Sequence, residues 1–204
     1  MTNALPLGLT NCLLWSDELG MGFHPRSPIV YAGLYFRKYQ ALDATEMGAE
    51  LTAARVSFVK RHFTGSPVDI GIGGGRFVLE ADTWGFDINP EAVKWLKAQE
   101  RFLDVYAGQV EAITCWDSLE HIPDPAALVA QATEWVFVSM PVYLSQWDCL
   151  RSKHYKPGEH LYYWTQPGLI RWFAEQGFGC VEVNEIESDI GREGITSFAF
   201  RRFK

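Results

Sequence analysis

The sequence predicts a three-layer α/β domain whose mostly parallel sheet, covered by helices on both faces, ends in an antiparallel hairpin. Three observations lead there. Short apolar runs alternate with helical-period segments from residue 68 to residue 178, the rhythm that lays helices over a parallel sheet. The last two apolar runs, 180–186 and 195–203, are separated only by a turn-rich stretch containing SDIGREG, and consecutive strands without a helix between them must pair antiparallel. At 204 residues, 48% apolar and 21% charged, the chain has the composition of one domain with a full core.

Each element has a local reason. Residues 46–62 place Leu51, Ala54, Phe58 and Val59 at helical spacing and stop at Gly65, Ser66 and Pro67, so they predict an amphipathic helix. A short strand at 68–70 leads into a glycine turn that opens a helix through 76–79, and 83–88 is the second strand. Asn89, Pro90 and Glu91 start the next helix, because Asn caps free backbone N–H groups and proline suits the first helical position. Residues 102–108 form no clear element, 110–116 form a strand, and Asp124 caps a helix holding Leu128 and Val129. A strand over 134–142 precedes a long aromatic segment. Thr165 and Pro167 then start a helix that Gly177 stops. Residues 1–60 form an N-terminal extension with Tyr31, Tyr35, Phe36 and Tyr39 close together, expected as a helical lid or as a stripe on the sheet; 61–204 form the domain proper.

The stretch VDIGIGGGRFVLEADTWGFDI, residues 68–88, sets four glycines between Asp69 and Asp87. A glycine turn after a strand suits a dinucleotide pyrophosphate, but Arg76 occupies the third glycine position of that fingerprint and Asp69 would face two phosphates. Coulomb repulsion in a partly desolvated site opposes that. S-adenosylmethionine meets neither objection: its ammonium and sulfonium attract a carboxylate, and its own carboxylate suits the backbone N–H groups of the turn. Asp87, at the end of the second strand, suits two ribose hydroxyls as a charged acceptor.

The segments VDIGIGGGRF, GFDINPEAV, ITCWDSLEHIPDP and PGEHLYYWTQPGLIRWFAEQGF, in this order, resemble a class I S-adenosylmethionine-dependent methyltransferase. The resemblance implies a Rossmann-like sandwich with a seven-stranded sheet and reversed final strand. It implies that Asp69, Gly71, Gly73 and Gly75 hold the methionyl part, that Asp87 holds the ribose and that Ile88 packs on the adenine. Two departures stand out. The third strand, which in the family ends in an acidic adenine contact, is represented only by Phe102, Leu103 and Asp104, so Asp104 is either that contact or an exposed loop aspartate. The glycine-rich turn often found before the fifth strand is absent.

Methyl transfer is an in-line displacement in which positioning supplies much of the rate, and a base is needed only when the acceptor must lose a proton. In WDSLEHIPD, Trp116 and Asp117 are expected to face cofactor or acceptor, with Glu120 and His121 on one face of a helical turn. Ubiquinone-pathway O-methyltransferases have a similar acidic-x-x-Glu-His pattern that can bind a divalent metal; packing and capping is the other reading, and no metal is assigned here. The segment YLSQWDCLRSKHYKPGEHLYYWT carries Trp147, His154, Tyr155, His160, Tyr162, Tyr163 and Trp164, which suit the wall of a ring-shaped acceptor or, for Tyr162 and Trp164, the core. His160 is the preferred general base because an unperturbed imidazole titrates near neutrality; a structural histidine is the alternative.

A net charge of −7 gives no general attraction to nucleic acid, although Lys60, Arg61 and His62 and the terminal Arg201, Arg202 and Lys204 are local basic clusters. Four scattered cysteines without a C-x-x-C pair predict reduced thiols. The longest apolar run, near 135–144, is interrupted by Ser139 and Pro141 and is too short to span a bilayer, and the start lacks a secretory pattern, so a cytoplasmic enzyme is expected. The expected activity is methylation of a small or medium acceptor, at oxygen by analogy. A degenerate methyltransferase fold acting as a scaffold, or an NAD-dependent oxidoreductase, are the rivals.

Overall fold

The computed structural model describes residues 12–25 and 33–203; Tyr31 and Lys204 lie outside them. Along the chain come β1 (Leu14–Ser16), β2 (Met21–Phe23), α1 (Gly33–Asp43), α2 (Glu46–Lys60), β3 (Val68–Ile70), α3 (Arg76–Glu80), β4 (Trp84–Phe86) and α4 (Pro90–Ala98). Then follow β5 (Val110–Trp116), a 3-10 turn (Leu119–His121), α5 (Pro125–Val129), β6 (Ala132–Tyr143), α6 (Gln146–Arg151) and β7 (Tyr162–Thr165). The chain closes with α7 (Gln166–Glu175), β8 (Phe178–Asn184), α8 (Ile186–Asp189) and β9 (Ile195–Arg202).

The predicted layered architecture with its antiparallel end is present, but the sheet has nine strands among the described residues where seven were expected. Strands β4, β3, β5 and β6 pair in parallel in that spatial order, and β9 runs antiparallel between β6 and β8. The strand expected at 102–104 is reduced to one parallel bridge from Phe102 to Gly85, because Asp104 turns the chain by accepting from the Tyr106 N–H at 3.0 Å. Three short strands extend the sheet instead. Beyond its pairing with β9, the long β6 offers Val142 and Tyr143 to β7, which continues antiparallel into β2 and β1. Residues 1–60 are therefore not helical throughout: their first described element is the hairpin of β1 and β2 on the edge of β7.

The caps follow the sequence. Thr45, Asn89, Asp124 and Thr165 each accept a backbone N–H in the first turn of α2, α4, α5 and α7, satisfying donors that a helix start leaves unpaired. On one face of the sheet α2 buries Phe58 and Val59 with Phe77, Trp116, Phe137 and Ala199, a Val or Phe side chain so buried contributing about 1.5–3 kcal/mol. On the other, α5 and α7 bury Leu128, Leu169 and Phe173 against Val136 and Phe200. Helix α2 thus belongs to the same core as the sheet. The two basic clusters do meet on one face, where Trp135 lies between His62 at 5.3 Å and Arg201 at 5.3 Å, but Glu182 pairs with Arg61 and His62 there. None of the four cysteines is in a disulfide among the described residues, and Cys115 and Cys149 are buried. Among the described residues no helix is long and apolar enough to cross a membrane.

Candidate active site

A cavity of about 470 Å³ opens beyond the C-terminal ends of β3, β4 and β5, bounded on the far side by α1 and α2. Strand ends in an α/β sheet leave such a crevice where the connections diverge. One wall is nearly contiguous in sequence. Gly71 (φ 73°) and Gly73 (φ 57°) take left-handed backbone, which L side chains enter at a cost, and both line the cavity. A β-carbon at Gly74 would stand 2.6 Å from the Gln40 backbone nitrogen, so the bare turn also lets α1 seat on it. Asp43, at the end of α1, fastens that contact by accepting from the Arg76 N–H at 3.2 Å.

Two carboxylates bracket this turn. Asp69 is buried and accepts from the Thr114 hydroxyl at 2.7 Å. Burial pushes it up to about 7, outweighing the Thr114 hydrogen bond and the charge of Arg55. Asp87 accepts from the backbone N–H groups of Ile72 at 3.1 Å and Asn89 at 2.7 Å, tying the two strand-end loops together, and burial raises it too. Ile88, 65% exposed, and Tyr106, set edge-on to Phe86 at 5.6 Å, complete this side.

The opposite wall is assembled from distant residues. Arg55 of α2 makes a two-pronged pair with Glu187, both contacts at 2.8 Å, and reaches Asp117 at 3.4 Å. Arg192 donates to Asp117 and to Glu187, each at 2.6 Å. Two guanidiniums and two carboxylates thus form a neutral knot over the Trp116 ring, which Arg55 covers at 5.1 Å. Burial opposes ionisation of Asp117, but Arg192 and Arg55 hold its carboxyl below its ordinary value. Asp117 also sits at φ 52°, a strained backbone for a residue with a side chain.

Beside the knot, Glu120, His121 and His160 bring one ligand atom each within 4.8 Å of one another. The 3-10 turn predicted as a helical turn carries the first two. The loop bearing His160 is pinned to it twice: Leu161 N–H donates to the Glu120 carbonyl at 2.8 Å, and His121 Nδ1 meets the Glu159 carbonyl at 2.9 Å. Both carboxyl oxygens of Glu120 are buried without a hydrogen-bond partner among the described residues, and burial next to Asp117 raises its acid to about 8.

Most of the expected residues converge here: Asp69, Gly71, Gly73, Asp87, Ile88, Trp116, Asp117, His121 and His160 all line the cavity. Four expectations need correction. Gly75 does not line it; at φ 92° it starts α3, and its missing side chain makes room for Trp95. Asp104 is an exposed turn aspartate, and Tyr106 two residues later reaches the cavity instead. The aromatic segment contributes only His154 and His160 among its named rings, since Tyr163 and Trp164 are fully buried in the core and Trp147 is exposed away from the site. Burial pulls His160 down to about 2, with His121 and Lys156 adding to it, which favours the neutral imidazole over a base poised near neutrality. Sequence reasoning missed Arg55, Glu187 and Arg192, whose pairings span 132 and 75 positions and leave no local pattern.

A protein-family model for a methyltransferase domain matches residues 44–183. The chain belongs to that family. Among curated relatives, a ubiquinone biosynthesis O-methyltransferase of Thiobacillus denitrificans is 29% identical over 98 residues, covering 35% of this chain and 42% of that one. Another so named, from Psychrobacter cryohalolentis, is 33% identical over 84 residues, covering 30% and 33%. This methyltransferase-family chain spans less than half the length of these two relatives. Among solved structures, magnesium protoporphyrin IX methyltransferase from Synechocystis PCC 6803 with bound SAH superposes with a TM-score of 0.55 at 15% identity over 87% of this chain and 90% of that one. A SAM-dependent methyltransferase from Archaeoglobus fulgidus gives 0.58 at 15% identity over 82% and 100%. At such identity the superpositions speak for the fold.

Proposed function

We propose that the chain binds S-adenosylmethionine and transfers its methyl group to an oxygen of a small-molecule acceptor. The observation that carries this is the buried Asp69 beside the glycine turn: a carboxylate that burial holds near neutrality is a site waiting for a cation. The residues fit the group. Asp69 answers its positive charges, the N–H groups around Gly71 and Gly73 its carboxylate, Asp87 its ribose hydroxyls, and Ile88 with Tyr106 its adenine. The bound nucleoside supplies an electrophilic methyl on sulfur. An NAD-dependent oxidoreductase is disfavoured, because the same carboxylates would face a pyrophosphate.

On the acceptor side the chain supplies position more than proton removal. The knot of Arg55, Asp117, Glu187 and Arg192 fixes one wall, with Trp116 as a flat floor. His121 and His160 are neutral polar groups that orient an acceptor hydroxyl. Residues 33–60 serve as the cap over both ligands, with Tyr35 and Tyr39 facing the cavity. Aligning nucleophile and methyl in a closed site is the main source of rate in such a displacement. The O-methyltransferase relatives favour oxygen as the attacked atom.

Incubating a metabolite extract with the protein and methyl-labelled cofactor, with labelled products resolved by mass spectrometry, tests the reading. A labelled small molecule is expected, and His160→Ala should lower its rate by about 10–100-fold while leaving affinity for S-adenosylhomocysteine nearly unchanged. S-adenosylhomocysteine binding without any labelled product would point to a degenerate, scaffolding member of the family.

A further inference from the structure

We infer that Glu120, His121 and His160 form a transition-metal site, selective for zinc-like ions over magnesium, in which His160 takes the place that the acidic-x-x-Glu-His pattern gives to Asp117. The inference rests on ligand geometry and not on methyl transfer. Three features carry it.

The first is that Asp117 is already committed. Its carboxylate oxygen lies 2.6 Å from Arg192 and 3.4 Å from Arg55, so joining a cation would mean leaving two guanidiniums. The second is the orphaned carboxylate. Glu120 is 1% exposed and neither oxygen meets a donor among the described residues, whereas buried polar groups in folded proteins are almost always paired. A cation held with two imidazoles would resolve this. The third is the state of the imidazoles. His121 gives Nδ1 to the Glu159 carbonyl at 2.9 Å, which fixes the proton there and leaves Nε2, 4.0 Å from Glu120 Oε1, with a free lone pair. Metal-binding histidines are commonly oriented by such a second hydrogen bond. His160 is buried, its ring edge-on to His121 at 4.7 Å, and its ring nitrogens meet no hydrogen-bond partner among the described residues.

The donor set decides the class of ion. Two neutral nitrogens and one carboxylate suit zinc, cobalt or iron(II), while magnesium prefers oxygen and water. Ligand atoms around tetrahedral zinc lie roughly 3.3 Å apart, so the trio closes modestly from its present separations of up to 4.8 Å. All three residues line the cavity. A bound ion would act there as a Lewis acid on an acceptor oxygen.

The test uses the full chain dialysed against a chelator and titrated with Co²⁺ or Zn²⁺ alone, with Mg²⁺ in parallel. The expected result is one equivalent of Co²⁺ giving visible d–d absorption that Zn²⁺ abolishes, and no competition from millimolar Mg²⁺. Glu120→Gln and His160→Ala should each weaken Co²⁺ binding by about 10-fold or more, while Asp117→Asn changes it by less than about 3-fold. S-adenosylhomocysteine binding and circular dichroism serve as controls that each variant is folded and its cofactor wall intact. Absence of Co²⁺ and Zn²⁺ binding in wild-type protein that still binds S-adenosylhomocysteine would overturn the site while sparing the proposed function. Loss of binding in Asp117→Asn but not in His160→Ala would overturn the ligand set.

Discussion

The two walls of the cavity are built by different means. The wall carrying Asp69, the glycine turn and Asp87 comes from about twenty consecutive residues, held by backbone conformation and by hydrogen bonds to neighbours. The wall carrying Arg55, Asp117, Glu187 and Arg192 is drawn from α2, the end of β5 and the segment between β8 and β9, and is held by charge. A wall of the first kind has its own rigidity. One of the second kind exists only once the whole domain has folded.

The largest effect should come from breaking the charged wall. Glu187 is 1% exposed and serves both arginines, and removing one member of a buried charge cluster typically costs about 3–5 kcal/mol because its partners are left uncompensated. Glu187→Ala should therefore lower unfolding stability by that amount in urea titrations while S-adenosylhomocysteine affinity, measured below the transition, stays within about 3-fold. A comparable loss of affinity would mean that the two walls are not independent. On the other side, Asp87→Ala removes a charged acceptor of two backbone N–H groups and of the expected ribose contacts. With hydrogen bonds to charged groups worth about 1.5–3 kcal/mol, it should weaken S-adenosylhomocysteine binding by about 100-fold, read by calorimetry.

The same contrast explains what was legible in the sequence. Val68–Ile70 and Val110–Trp116 were assigned with the right bounds, and the caps at Asn89, Asp124 and Thr165 were identified, because apolar runs and capping residues are local signals. The wall of Asp69, the glycine turn and Asp87 was legible for the same reason, apart from Gly75, whose missing side chain admits Trp95, and Asp104, where a turn replaces a strand end. Strands β1, β2 and β7 escaped because they depend on an edge that only the extended end of β6 provides. His160 was read from residue type alone, whereas burial, a tertiary property of its loop, lowers its proton affinity.

The smallest expected effect is also the most direct test of the central claim that Asp69 receives a cationic nucleoside. With its folded value raised to about 7, Asp69 binds its proton more tightly in the folded chain than in the unfolded one. Its contribution to ligand-free stability therefore falls as pH rises from the ordinary carboxylate range to about 7, and is flat above that. A bound ammonium reverses the preference and drives the proton off. Calorimetric titration with S-adenosylhomocysteine at pH 6.5, in two buffers of different ionisation enthalpy, should show saturable binding with release of a substantial fraction of one proton, and Asp69→Asn should abolish the release. Saturable binding without proton release, or no saturable heat at all, would contradict the account.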